Sequence, residues 1–104
     1  MNLPYEELTN TILSVFPDAE RIILFGSRAR GDSTWDSDYD LLVVTETTLR
    51  PAHRGALLRM ALRGFDAAFD ILVVTPTEFS ELRKMKSSAV FSAVREGQVL
   101  HEVA

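Results

Sequence analysis

Residues 25–44, FGSRARGDSTWDSDYDLLVV, decide how the rest of the chain folds. The stretch opens where an apolar run, RIILF (21–25), meets Gly26, and it closes in a second run, DLLVVT (40–45). The second run is β-branched and does not alternate with polar residues, which marks a strand buried on both faces. Asp38 and Asp40 stand at its entrance with Tyr39 between them. Side chains alternate along a strand, so both carboxylates point to one face, about 6.5 to 7 Å apart. Like charges in that position repel each other and resist burial. The segment therefore calls for a compensating charge.

Working outward, a third apolar run, FDILVV (69–74), carries Asp70 near its start. PAHRGALLRMALRG (51–64) lies between the second and third runs. Pro51 suits a first helical turn, Leu58, Ala61 and Leu62 form an apolar stripe, and Gly64 is the expected C-terminal cap. A helical crossover makes the strands it joins parallel, so Asp70 arrives at the same sheet edge as Asp38 and Asp40. The Gly26-Ser27 turn reaches that edge only if the first strand runs opposite to the second, which predicts a mixed sheet. Spacing predicts a helix over 3–16, with Leu8, Ile12, Val15 and Phe16 inward, Glu6 and Glu7 in its first turn and Pro17 as its stop. A short helix is expected at 27–30, another from Thr75 and Pro76 to about Met85, and a further one from Ser88 to Arg95. GQVLHE (97–102) reads as a short edge strand. The expected fold class is α/β, in the α+β sense of a small mixed sheet flanked by helices. With 104 residues, the chain reads as one domain over 1–104, too short for a separate substrate domain.

Three acidic side chains on one edge favour a divalent cation. Mg²⁺ suits an oxygen-only set, because it keeps several waters and is usually completed by substrate phosphates. Two such ions, about 3.5 to 4 Å apart, could clamp the attacking and leaving oxygens of an in-line displacement at phosphorus. Gly26 would allow a tight turn, and Ser27 would offer a hydroxyl and an amide to phosphate oxygens. The implied reaction is nucleotide transfer from a nucleoside triphosphate. Asp66 is the substitute for Asp70 should the strand begin earlier.

Other readings are weaker on their chemistry. GSRARGDS has the glycine separation of a P-loop, yet Asp32 stands where a lysine would meet the phosphates. A calcium loop starting at Asp36 fails because Leu41 replaces its turn glycine and Thr47 its bidentate glutamate. His53 and His101 are too few for a metal centre or triad and are read as surface residues. Trp35 is read as either a stacking platform for a base or a loop anchor. Arg50, Arg54, Arg59 and Arg63 are read as a solvated basic side of the crossover helix, with a partner-facing patch as the sharper alternative. The chain has no cysteine, which removes thiolate chemistry and fits a reducing compartment. The start lacks the pattern of a signal sequence, and no run approaches the roughly 20 apolar residues of a membrane span. A cytoplasmic protein with no membrane partner is expected. A net charge of −4 argues against general nucleic-acid binding.

The stretch GSRARGDSTWDSDYDLLVV resembles the signature of the DNA polymerase β-like nucleotidyltransferase superfamily, specifically its minimal nucleotidyltransferases: Gly-Ser, ten residues, then Asp-x-Asp. That resemblance implies a polymerase β palm-like fold, with Gly26 and Ser27 holding the triphosphate. Asp38 and Asp40 would ligate two magnesium ions, and Asp70 would complete the catalytic metal site near the attacking hydroxyl. Arg28 and Arg30 match basic positions of the motif and would neutralise phosphate charge, unless one pairs with Asp32 or Asp36. Proteins of this size are similar to the antitoxin half of toxin–antitoxin pairs whose other half is a HEPN-domain ribonuclease. The implied activity is AMP transfer from ATP to a tyrosine of that toxin. Two alternatives are a non-catalytic module that occludes its partner, and a small-molecule nucleotidyltransferase working as a dimer whose second subunit supplies the missing wall.

Overall fold

The computed structural model describes residues 3–34 and 37–103. Strands β1 (Arg21–Phe25), β2 (Tyr39–Val44), β3 (Phe69–Val74) and β4 (Gln98–Glu102) form one sheet in the order β3-β2-β1-β4. β1 is antiparallel to β2 and to β4, whereas β2 and β3 are parallel. The sheet is therefore mixed, as the position of the Gly26 turn requires. Around it lie helices α1 (Tyr5–Val15), α2 (Ser27–Arg30), α3 (Pro51–Ala61), α4 (Pro76–Leu82) and α5 (Ala89–Glu96).

Each face of the sheet has its own core. On one, Leu8 and Ile12 of α1 and Leu58 of α3 pack on Ile22, Leu24, Leu41, Val43, Ile71 and Val73. On the other, Phe79 of α4 and Val90 and Ala93 of α5 pack on Ile23, Leu42, Val44 and Val74. Leu41, Leu42, Val43 and Val44 are all buried, and burial of such side chains stabilises by about 1.5–3 kcal/mol each. Repulsion between two partly solvated carboxylates some 7 Å apart costs about 1 kcal/mol. The buried half of β2 thus holds the strand in register against the charges at its entrance.

The crossover helix departs from expectation. α3 stops at Ala61 and tightens into a 3₁₀ turn, Leu62–Gly64, instead of ending in a left-handed glycine cap. Among the described residues positive φ is confined to Gly26 and Gly31. The Leu62 amide donates to Leu58 O and Met60 O, so the tightened turn satisfies carbonyls that Gly64 was expected to serve. Ala61 faces solvent, and the inward stripe is Arg54, Gly55, Leu58 and Leu62. Arg54 is therefore no member of a solvated basic face: it is 7% exposed. Its guanidinium donates to Leu49 O at 3.0 Å, Val73 O at 3.3 Å and Glu78 Oε1 at 2.6 Å.

The helices after β3 begin as their sequences dictate. Thr75 and Glu78 make a reciprocal capping box at α4, with Pro76 in the first turn, and Ser88 Oγ accepts from the Phe91 amide at α5. α5 runs into β4 through Gly97, where any Cβ would collide with Ala93 O and Ile23 Cγ2. No helix among the described residues is long and apolar enough to cross a membrane.

Candidate active site

The strand registers bring two of the three expected carboxylates together. Asp40 is the partner of Asp70 across the parallel β2–β3 ladder, and Phe25 lies opposite Asp40 on β1. The Tyr39 amide donates to Ala68 O at 2.9 Å, which fixes how the two strands enter the sheet. Asp38 precedes β2 and is exposed, Asp40 is half-buried, and Asp70 is exposed. Asp66, the substitute, lines a cavity elsewhere.

Alternation decides which way these residues face. Asp40 shares its side of β2 with Leu42 and Val44, and Asp70 shares its side of β3 with Leu72 and Val74, the face covered by α4 and α5. Tyr39 and Phe69 go to the opposite core with Leu41, Val43, Ile71 and Val73. Their rings meet with centroids 5.9 Å apart, and Phe69 meets Phe65 edge-on at 6.3 Å. The acidic edge thus has an aromatic underside.

Gly26 shows why this motif needs glycine. Its φ of 75° and ψ of −157° belong to a region that other residues rarely enter. A Cβ there would also run into the carboxylate of Asp40. β1 can therefore end directly against Asp40 and turn at once into α2, which Ser27 opens. The amides of Ala29 and Arg30 both donate to Gly26 O at 3.1 Å, and Gly31, at φ 83°, ends the turn.

The two arginines of α2 diverge, because residues two apart on a helix point about 200° from one another. Arg30 goes to the carboxylate side: it pairs with Asp32 at 3.2 Å and with Glu96 of α5 at 3.5 Å, and its charge is felt at Asp40. The expectation that one arginine pairs with Asp32 holds for this residue. Arg28 turns the other way. Its Nε and Nη2 donate to Ser37 O at 3.2 and 2.8 Å, and its guanidinium lies 4.3 Å from the centroid of the Tyr39 ring. The helical spacing of the two arginines was the available signal for this split. Trp35 and Asp36 lie outside the described residues.

Burial pushes the Asp40 carboxyl above its ordinary 3.8, and the charges of Asp70 and Asp38 push in the same direction, with Arg30 opposing. A divalent cation would relieve that repulsion, and the donor set is all oxygen, so the residues suit Mg²⁺ in kind. Among the described residues no three His, Cys, Asp or Glu side chains are already arranged as a metal cage. Mg²⁺ sites of this type are completed by substrate phosphates. A cavity of about 750 Å³ lies between Leu3, Pro4 and Glu7 on one side and Gly64, Phe65 and Asp66 on the other. Phe65 packs against the α1 and α3 core, so this cavity is on the aromatic underside. The carboxylate edge itself exposes Asp38 and Asp70.

Comparison with known proteins agrees with this fold. Residues 7–103 match the family model described as Polymerase beta, Nucleotidyltransferase. No curated protein sequence matches. Among solved structures, a toxin-antitoxin with AMP-PNP is similar at 24% identity and a TM-score of 0.72, over 97% of this chain and 75% of that one. A tri-AMPylated Shewanella oneidensis HEPN toxin in complex with MNT antitoxin is similar at 22% identity and a TM-score of 0.62, over 95% of this chain and 70% of that one. At these identities the likeness is one of fold.

Proposed function

The chain belongs to the polymerase beta, nucleotidyltransferase family, and from that premise we propose that it transfers AMP from ATP to a hydroxyl of a HEPN-domain toxin, a tyrosine side chain, and so acts as its antitoxin. The observation that carries this reading is the pairing of Asp40 with Asp70 over Gly26, at the open end of the sheet. A structural neighbour holding AMP-PNP and another holding an AMPylated HEPN toxin support the donor and the partner.

In the proposed reaction the acceptor oxygen attacks the α-phosphorus. The bond from that phosphorus to the α,β-bridging oxygen breaks, pyrophosphate leaves, and the hydroxyl proton passes to a carboxylate of the edge or to solvent. Magnesium held by Asp38, Asp40 and Asp70 would neutralise phosphate charge and lower the acidity barrier of the hydroxyl. Gly26 and Ser27 present the turn to the triphosphate, and Gly26 keeps the space between turn and Asp40 clear of side chain. Arg30 releases two solvent-exposed partners, pairs worth little in water, to meet departing pyrophosphate. Asp70, exposed as Asp38 is, lies nearest to an incoming acceptor. Leu57 and Met60, 49% and 61% exposed on α3, together with Arg59, form a surface suited to a partner protein. The reading as a purely occluding module loses part of its support, because Arg54 is used inside the fold.

The test is direct. Purified chain, Mg²⁺, α-labelled ATP and a HEPN partner should place label on a partner tyrosine, and Asp38→Asn or Asp40→Asn should abolish transfer without unfolding. Absence of label with the unaltered chain, or equal labelling by the variants, would refute the proposal.

A further inference from the structure

Arg28 sits in the segment that contacts substrate in the reading above, yet its side chain is directed away from it. Two of its nitrogens converge on a single oxygen, Ser37 O, the last carbonyl before Asp38. Its planar cation covers the ring of Tyr39, the residue just after Asp38. Tyr39 is 4% exposed and anchored in the α1 and α3 core, next to Phe69, which itself precedes Asp70. Tyr5 of α1 belongs to the same group: burial raises its hydroxyl pKa, the neighbouring Tyr39 raises it further, and Arg28 lowers it. Asp38 is the carboxylate outside the ladder of β2 and so lacks the strand hydrogen bonds that hold Asp40.

We propose that Arg28 is a positioning residue: by clamping Ser37 O and the Tyr39 ring, on either side of Asp38, it sets the direction of that carboxylate from the opposite face of the sheet, and it does not bind the triphosphate. The inference rests on the nucleotidyltransferase reading of the acidic edge. Only a guanidinium can both cover a ring and direct two N–H donors onto one carbonyl oxygen, so lysine would keep the charge and lose the clamp.

The experiment compares Arg28→Lys, Arg28→Ala and Tyr39→Leu with the unaltered chain, each first shown to be folded by circular dichroism. ATP affinity is measured at saturating Mg²⁺, and the Mg²⁺ and Mn²⁺ concentrations for half-maximal ATP binding are measured separately. Amide hydrogen exchange is followed at residues 37–39. A positioning role predicts ATP affinity at saturating metal within about two-fold of the unaltered chain, and a metal requirement raised roughly ten-fold in all three variants. Exchange at 37–39 should be faster, and kcat should fall by roughly thirty- to a hundred-fold with KM for ATP nearly constant, as misplacement of a reacting group by about 1 Å would cause. If Arg28→Ala weakens ATP binding at saturating metal and Arg28→Lys restores it, Arg28 is a phosphate ligand and the inference is overturned. Variants that transfer like the unaltered chain overturn it as well, with the nucleotidyltransferase reading left intact. A chain that binds no Mg-ATP in any form overturns both.

Discussion

Gly26 and Asp40 occupy the same few ångströms, and each limits what the other can be. Replacing Gly26 by alanine puts a methyl group into the Asp40 carboxylate and forces an L-residue to φ 75°. Strain of that kind costs about 1–3 kcal/mol, so Gly26→Ala should lower the midpoint of urea unfolding and lose transfer activity together. Asp40→Asn should separate the two. Its carboxyl is disfavoured as an anion by burial, then by Asp70 and Asp38, so removing the charge relieves repulsion at neutral pH. Metal-free Asp40→Asn should be more stable than the unaltered chain by about 0.5–1 kcal/mol, while transferring nothing; a loss of stability in the melting curve would contradict this. The sequence makes Asp38, Asp40 and Asp70 readable because period-two alternation and a parallel crossover leave them few other places to go. Helical spacing shows that Arg28 and Arg30 diverge but not where each one goes, since in a four-residue helix the partners of each long side chain are settled by what its neighbours offer.

At the scale of the element, α3 shows how a charged residue becomes structural. Arg54 falls four residues before Leu58 and eight before Leu62, on the inward stripe, and a charge on that stripe must be paired to remain there. Its partners come from three places: the carbonyl of Leu49 before α3, the carbonyl of Val73 at the end of β3, and Glu78 in the capping box of α4. The periodicity was legible; the partners were not, because Glu78 lies 24 residues away and meets Arg54 only once β3 is docked. Arg54→Ala should destabilise by about 2–4 kcal/mol, through two orphaned carbonyls and a broken ion pair, measured by urea unfolding at pH 7. Glu78 supplies a pH signature. The Arg54 hydrogen bond, followed by the Thr75 amide, holds its carboxyl below the ordinary 4.5. The stabilisation is complete above that value and drains away as pH falls through the lowered folded-state value. Glu78→Gln should therefore narrow the stability difference between pH 7 and pH 3 relative to the unaltered chain, and equal acid sensitivity of the two would exclude the pair as a source.

Across the whole molecule, the sheet separates its edge carboxylates from its aromatic rings. The α4 and α5 face ends in carboxylates, and the α1 and α3 face ends in Tyr39, Phe69 and Phe65. The mixed topology behind this was readable from two facts, a helical crossover between 45 and 69 and a glycine turn that had to reach the acidic edge. The large cavity between α1 and the turn at Gly64 was not, because it depends on how two helices with different stripes splay apart. Function and scaffold are interleaved one residue at a time, Asp38, Tyr39, Asp40 and again Phe69, Asp70, so the arrangement is brittle to changes in chain length. One glycine inserted between Asp40 and Leu41 would have to shift either the buried run or the acidic one by half a pleat, sending rings to water or carboxylates into oil. Such an insertion should be far more damaging than one in the connection at 46–49, and soluble yield with a thermal melt of the two single-residue insertions would rank them. Natural variants of this domain should therefore lengthen its loops freely and preserve, to the residue, the count from Asp38 to Val44.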